Sequence, residues 1–145
     1  MAFKGEIEIS APQTGSLKDE KFNVLDCNYR FYTPSDSYGR ITGRRVVGKI
    51  SFIIETTPAT VQLASVFFTH SVIEGKLTFY NRDSFSKMFE VKFENARVID
   101  METVFAHTGE MPMINKLTIS AEKITLVSQG NEAQDSNDWD VVEEY

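Results

Sequence analysis

Hydrophobic and polar residues alternate along several stretches of the chain, which is the pattern of strands with one buried face. The clearest stretches are residues 22–32 and 88–95. The side chains predicted to face the core are Leu25, Cys27, Tyr29 and Phe31 in the first stretch and Phe89, Val91 and Phe93 in the second. Further strands are predicted at residues 3–9, 48–55, 75–80 and 97–105, and residues 116–127 form either one long bent strand or two short ones.

Residues 59–70 carry apolar side chains at spacings of three, four and seven, which predicts an amphipathic helix. Just before it, Thr56 and Thr57 supply a hydroxyl cap, and Pro58 suits the first helical position. The strands on either side begin alike, with Gly-Lys-Ile-Ser-Phe in one and Gly-Lys-Leu-Thr-Phe in the other. The predicted fold is therefore centred on one helix between two similar strands.

The predicted fold class is mainly β, an antiparallel barrel or two-sheet sandwich of seven or eight strands with a single capping α-helix. A chain of 145 residues is long enough for one domain with a substantial core. We expect that domain to span residues 1–128. Residues 129–145 are polar and acidic, so we expect a mobile tail for which Trp139 is the candidate docking residue.

Charge and cysteine content narrow the classes of function. A net charge of −6 disfavours a nucleic-acid partner, because such binding depends on neutralising phosphates with Lys and Arg. Cys27 is the only cysteine, which excludes an internal disulfide and fits a reducing compartment. The first residues lack the apolar run of a signal peptide, and no stretch suits membrane insertion. We therefore expect a protein made in the cytoplasm and exported, if at all, without a cleaved leader.

The sequence contains no recognisable catalytic constellation. His70 and His107 lie in different segments and lack the spacing of metal ligands. Cys27 falls on an apolar strand face, which is typical of a buried side chain and not of a nucleophile. Gly39 and Gly43 do not precede a helix as a phosphate-binding loop would. We expect a protein that is not an enzyme and that uses no metal or cofactor.

The order of these features resembles the Bacteroidetes branch of the haemolysin-coregulated protein (Hcp) family. The resemblance begins with Asn28-Tyr29-Arg30-Phe31 at the end of a strand, a long loop with Gly39-Arg40, and a strand that opens with Gly48-Lys49-Ile50 and ends at Glu55. It continues through the helix, the strand at residues 75–80, the strand at residues 89–93, Pro112-Met113 and the segment at residues 117–124. Hcp proteins are the tube subunits of type VI secretion systems, so the resemblance implies a structural protein.

The resemblance further implies homo-hexameric rings that stack into a hollow tube. The expected partners are the contractile sheath around the tube, the spike and baseplate proteins, and effector proteins carried in the lumen. The resemblance also implies that the loop at residues 33–45 reaches towards neighbouring subunits. From its length and composition alone, a functional loop and an ordinary solvated loop fit equally well. Its expected subunit contacts are Tyr38, Arg40, Arg44 and Arg45, and the three arginines are expected to meet acidic groups across ring or stack contacts.

The polar face of the predicted strands would suit the wall of the lumen, although ordinary exposure to solvent explains the same residues equally well. The candidate lumen-facing residues are Lys76, Thr78, Glu90, Lys92 and Glu94.

Two alternative functions fit the same sequence. One is a tail-tube protein of another phage-like contractile injection system. The other is a monomeric β-barrel that carries an apolar ligand, which the chain length and eleven phenylalanines suggest. The carrier needs an empty apolar cavity, whereas a tube subunit fills its small barrel with side chains.

Overall fold

The structure is a computed structural model, which describes residues 4–12, 17–81, 87–109 and 112–136. The elements are β1 (Lys4–Ser10), β2 (Glu20–Tyr29), β3 (Lys49–Glu55), α1 (Thr60–Thr69), β4 (Ile73–Tyr80), β5 (Lys87–Phe105), β6 (Met113–Ser128) and β7 (Asn131–Ser136). The chain is therefore mainly β with a helix between β3 and β4, as the sequence predicts.

All strand pairs are antiparallel, in the order β3-β2-β1-β4-β5-β6-β7. An additional pairing between β3 and β6 closes the first six strands into a barrel. The strand β6 pairs with β5 on one edge, and its other edge is shared by β3 at residues 114–120 and by β7 at residues 123–128. Residues 113–128 thus form one long strand, and β7 is an extra strand outside the barrel.

The pairing divides the barrel into two halves. The four-strand half contains residues 97–105 of β5, residues 113–120 of β6, all of β3, and residues 25–29 of β2. The six-strand half contains the remaining parts of β2, β5 and β6 together with β1, β4 and β7. The strands β5 and β6 pass from one half to the other where Ala96 pairs with Ala121, next to Asn95, which has a positive φ of 49°.

Side chains fill the interior of the barrel. Large residues that are at most 2% exposed come from both halves and include Ile7, Phe22, Ile50, Phe52, Leu77, Phe93 and Ile119. From α1, Leu63 and Val66 join the same core, because their spacing of three places them on one side of the helix. The packed interior is what a tube subunit requires and differs from the hollow that an apolar-ligand carrier needs.

The predicted buried face of β2 is only half correct. Cys27 and Tyr29 do pack against the core, but Leu25 and Phe31 are 43% and 41% exposed. Leu25 is exposed because of a β-bulge: Val24 pairs with Ile54 and Asp26 pairs with the adjacent Ile53, so the intervening Leu25 has no partner. Phe31 lies beyond Tyr29, where β2 ends. The bulge reverses the alternation, and Phe22 and Val24 therefore supply the inward face before it.

The helix begins later than the threonine and proline pattern predicts. Ala59 is the N-cap and makes no side-chain cap, while Pro58 lies in the preceding turn. The predicted cap by Thr56 or Thr57 is therefore wrong. Instead, the backbone N–H of Thr57 donates to the hydroxyl of Thr60, which is 5% exposed and lies within the helix.

Part of the expected C-terminal tail is an ordered strand. Gln129 and Gly130 have positive φ values of 48° and 84°, and they form the two-residue turn between β6 and β7. The strand β7 lies outside the barrel, so it has no core-facing side and no apolar alternation that would reveal it. The structured chain thus extends past residue 128, and Trp139 lies outside the described residues.

Candidate assembly surfaces

Two strands of the four-strand half have an edge that no described strand pairs with. On β5, residues 97–105 pair with β6, whereas β4 pairs with β5 only as far as Ala96. On β2, residues 25–29 pair with β3, whereas β1 pairs with β2 only as far as Val24. Unpaired strand edges expose backbone donors and acceptors that can bond to another chain. We call these segments the β5 edge and the β2 edge.

Both edges also expose large apolar side chains. Ile99 and Phe105 on the β5 edge are 49% and 67% exposed. Leu25 on the β2 edge and Phe31 just beyond it are exposed to a similar degree. Apolar side chains beside unpaired backbone are typical of a surface that another protein covers.

The long loop at residues 33–45 has a defined shape. Its base is held by a bridge between Tyr32 and Val46, and a second bridge joins Ser35 and Ile41. At the tip, the carboxylate of Asp36 accepts hydrogen bonds from the backbone N–H groups of Tyr38 and Arg40. These bonds, the one from the Arg40 N–H first, hold the pKa of Asp36 below its ordinary value. The loop is therefore built as a tight turn on a narrow stem.

The loop arginines Arg40 and Arg45 bind carboxylates of their own subunit. The guanidinium of Arg40 donates to Asp36 at 2.8 Å and lies 5.4 Å from the ring centroid of Tyr38. The guanidinium of Arg45 donates to both carboxylate oxygens of Asp135 in β7. These arginines were expected to meet acidic groups of a neighbour, and the structure shows that they already have intramolecular partners. Arg44 is exposed.

The predicted lumen-facing residues do lie together on the outer face of the six-strand half. Lys76 pairs directly with Lys92, and Thr78 pairs with Glu90, so that all five residues, with Glu94, share one surface. Thr78 differs from the others because it is only 4% exposed. Its neighbours across the sheet, Glu6 and Glu90, explain why the short side chain is covered.

Several pairs of lysine and glutamate side chains lie close together on this polar face. Lys76 lies 4.0 Å from Glu8, Lys87 lies 2.9 Å from Glu90, and Lys123 lies 3.9 Å from Glu94. The hydrogen bond from Lys87 is the main reason why the pKa of Glu90 lies below its ordinary value. Because most charged side chains on this face have a neighbour of opposite charge, the face is polar but carries no large net charge.

A second polar surface lies on the outer face of the four-strand half, and sequence reasoning missed it. It forms an open groove of about 290 Å³, whose polar lining comes from four different strands. The polar residues are Asp26, Asn28, Ser51, Asp100, Glu102, Lys116 and Thr118. Each occupies an ordinary outward position in its own strand, so only the pairing of β2, β3, β5 and β6 brings them together.

The helix α1 exposes apolar side chains on the side away from the core. Val61 and Phe68 are 70% and 76% exposed, and their spacing of seven places them on one face, two turns apart. None of the ten residues in α1 is charged, although charged residues make up 25% of the chain. An exposed helix face without charge is unusual for a surface that stays in water.

A barrel of this topology, filled by side chains and bearing unpaired edges, agrees with the family that the sequence resembles. Residues 1–140 match the family described as Hemolysin coregulated protein Hcp (TssD). The chain belongs to the Hcp family. As a member of it, the protein is a tube protein of a type VI secretion system, and the family is one of secreted, structural proteins.

Solved Hcp structures share the fold. One Hcp crystal structure superposes with a TM-score of 0.81 at 16% sequence identity, covering 93% of this chain and 98% of that chain. An Hcp protein from Flavobacterium johnsoniae superposes with a TM-score of 0.74 at 24% identity, covering 92% and 100%. An Hcp protein from the E. coli EAEC 042 pathovar gives a TM-score of 0.78 at 17% identity, covering 93% and 99%. No curated protein matches the sequence.

Other kinds of site receive no support from the described part of this Hcp chain. No three His, Cys, Asp or Glu side chains within it are grouped so that they could hold a metal ion. Nor does any of its helical structure have the length and apolar character of a membrane span.

Proposed function

We propose that six copies of this Hcp chain form a closed ring by joining the β5 edge of one copy to the β2 edge of the next. The observation that carries the proposal is that the four-strand half ends in two different unpaired edges. A contact between two different surfaces repeats head to tail, and it closes into a ring when the rotation between copies allows. The joint would extend one sheet around the whole ring.

The apolar side chains on the two edges support this joint. Ile99 and Phe105 on one edge would pack against Leu25 and Phe31 on the other, which removes apolar surface from water on both sides. Removal of such side chains from water contributes about 25 cal/mol per Å² of apolar surface, and the freedom that the subunits lose on association offsets part of this contribution. The joint would thus combine backbone hydrogen bonds with a hydrophobic contribution.

The unequal widths of the two halves favour one orientation of the subunit. Circumference grows with radius, so the narrower four-strand half fits the inner wall of a ring and the six-strand half fits the outer wall. The groove beside Ser51 and Thr118 would then face the lumen and meet the effector proteins that pass through it. Lys76, Glu90, Lys92 and Glu94 would face outwards, towards the contractile sheath. This differs from the lumen position that the sequence suggested for them.

Ring formation can be tested by measuring the mass in solution with light scattering. We expect the unmodified chain to have six times the mass of one copy. Ile99→Lys and Leu25→Lys should have the mass of one copy, and their circular dichroism spectra should show that they are folded. Met88→Lys is the matched control, because Met88 is 38% exposed but lies on the six-strand half. A solitary chain at all concentrations, or rings that tolerate both edge variants, would contradict the proposal.

The orientation can be tested by labelling cysteines in assembled tubes with a bulky maleimide that cannot enter the lumen. In a Cys27→Ser background, we expect Lys92→Cys to react in tubes and Asn28→Cys to react only after the tubes are taken apart. The reverse result would place the six-strand half at the lumen.

The proposal also includes stacking of rings, capping of the tube by spike and baseplate proteins, and export without a cleaved leader, which follow from the family.

A further inference from the structure

The charged residues on the outer faces of the two halves are arranged differently. On the six-strand half, Glu90 and Glu94 each lie close to a lysine, at 2.9 and 3.9 Å. On the four-strand half, the groove beside Ser51 and Thr118 is lined by the carboxylates of Asp26, Asp100 and Glu102. All three are exposed, and within the described part of the chain none of them forms an ion pair. The groove therefore contains carboxylates whose charge has no partner in the same subunit.

The groove has an excess of negative charge. Its charged lining consists of these three carboxylates and one cation, Lys116, which lies opposite Glu102 in the pairing of β5 with β6. Each copy of the chain thus contributes two net negative charges to the groove. In the ring that we propose, six copies would together place twelve net negative charges on the wall of the lumen.

The ring joint would make this charge continuous around the lumen. Asp26 lies on the β2 edge, whereas Asp100 and Glu102 lie on the β5 edge, so the joint would bring carboxylates of two copies onto neighbouring strands. Like charges on neighbouring strands repel each other. These carboxylates therefore weaken the joint, and a ligand of opposite charge would relieve the repulsion.

We propose that the groove docks basic segments of effector proteins, so that the lumen of this tube selects effectors with a surface rich in lysine and arginine. The inference rests on the proposed function, because it takes the ring and the orientation of the subunit as given. A concave wall that carries charge of one sign concentrates ligands of the opposite sign. The hydroxyls of Ser51 and Thr118, 3.1 Å apart on the two inner strands of the groove, add hydrogen-bond acceptors for the same basic side chains.

The binding test uses two fluorescent peptides of equal length, one of alternating lysine and serine and one of alternating glutamate and serine. We expect rings of the unmodified chain to bind the lysine peptide in preference to the glutamate peptide, and to bind it more weakly as salt is added. Asp26→Asn, Asp100→Asn and Glu102→Gln together should leave the rings intact and raise the Kd for the lysine peptide by at least about tenfold. Fluorescence anisotropy measures the Kd, and light scattering measures the mass of the rings.

A matched control removes the same amount of charge from the other half of the barrel. It combines Glu74→Gln, Glu94→Gln and Glu132→Gln, at exposed positions on β4, β5 and β7 of the six-strand half. The Kd for the lysine peptide should stay nearly unchanged in this control. Equal Kd values in the two triple variants would show that the overall charge attracts the peptide, and they would overturn the inference, as would rings that bind both peptides alike.

A cross-link gives a direct test of where the peptide lies. In a Cys27→Ser background, rings with Asn28→Cys should form a disulfide with a lysine peptide that ends in cysteine, because Asn28 lies in the groove. Rings with Lys92→Cys, on the six-strand half, should form far less of it. Equal or greater attachment at the second position would overturn this inference and leave the ring intact. Loss of the ring in the unmodified chain would overturn the proposed function itself.

Discussion

Arg45 donates hydrogen bonds to both carboxylate oxygens of Asp135, a residue ninety positions later in the chain. The first residue ends the long loop, and the second lies in the outermost strand, β7. A bidentate contact between a guanidinium and a carboxylate has a fixed geometry, so it orients as well as attracts. The loop and β7 therefore act as one structural unit on the outside of the barrel.

Loss of this contact should loosen both segments. We expect Asp135→Asn to speed backbone hydrogen exchange several-fold at the base of the loop and in β7, with little change in the core strands. The hydrogen bond from Arg45 holds the pKa of Asp135 below its ordinary value. The contact is thus fully present above the ordinary pKa of an aspartate and is lost as the pH falls through the lowered value. Hydrogen exchange followed by mass spectrometry measures the effect.

An exchange of charges provides the control for the pair. Arg45→Asp combined with Asp135→Arg should restore part of the protection that either single change removes. Equal exchange rates in the single and double variants would show that the contact does not order the loop.

Gly75 is the position where any side chain should be most harmful. A Cβ atom there would lie 1.9 Å from the backbone oxygen of Glu8, which cannot move without disturbing the pairing of β1 with β4. We expect Gly75→Ala to lower the free energy of unfolding by at least about 3 kcal/mol. In Gly5→Ala the nearest atoms are side chains at 3.4 Å, and the loss should stay below about 1 kcal/mol. Urea denaturation distinguishes the two, and equal losses would refute the steric argument.

Asn115 is a buried polar residue that connects three segments. It accepts a hydrogen bond from the Thr103 hydroxyl and donates one to the Thr56 hydroxyl, both at 2.6 Å. Because the side chain is 1% exposed, its removal leaves hydroxyl groups without their partner. Asn115→Ala should therefore lower the free energy of unfolding by about 1–3 kcal/mol. Asn28→Ala, at an exposed position, should change the free energy of unfolding by less than about 0.5 kcal/mol. Thermal and urea unfolding measure both variants, and a larger loss for Asn28→Ala would contradict the prediction.

Cys27 should react slowly while the chain is folded. Burial, with a smaller contribution from the charge of Asp26, raises the pKa of its thiol to about 11. At pH 8 only about one thiol in a thousand is then ionised, and the thiolate is the reactive form. We expect thiol reagents to modify the folded protein about a hundredfold more slowly than the protein in urea. Asp26→Asn should accelerate the reaction only slightly, and a large acceleration would show that charge and not burial dominates.

The sequence pattern correctly predicts those elements in which the same face stays buried along the whole length. In β3, which the sequence predicts as a strand at residues 48–55, Ile50, Phe52 and Ile54 alternate without interruption and all three are buried. Residues 88–95 of β5 and the inward side of α1 follow the same rule. Family membership is likewise confirmed, because it depends on the order of many such elements.

The features that the pattern misses depend on pairing between distant segments. The bulge at Leu25 exists because β3 offers one residue fewer than β2 in that stretch, which the β2 sequence alone does not record. The strand β7 has no buried face, so its polar sequence resembles that of a tail. The partners of Arg40 and Arg45 follow from a local turn in one case and from the position of β7 in the other. The polar groove beside Ser51 needs four strands in register before it exists.

The pairing of β3 with β6 joins residues about sixty to seventy positions apart, which makes barrel closure a late, non-local event. On the ribosome, a chain that grows by roughly 5–20 residues per second spends several seconds with β1 to β4 made and no β6 to complete the wall. During translation the nascent chain therefore holds an open sheet. The edge of β3 that later pairs with β6 is still unpaired at this stage, like the edges that stay unpaired in the finished barrel. The cell thus has a built-in delay before newly made copies can recognise each other.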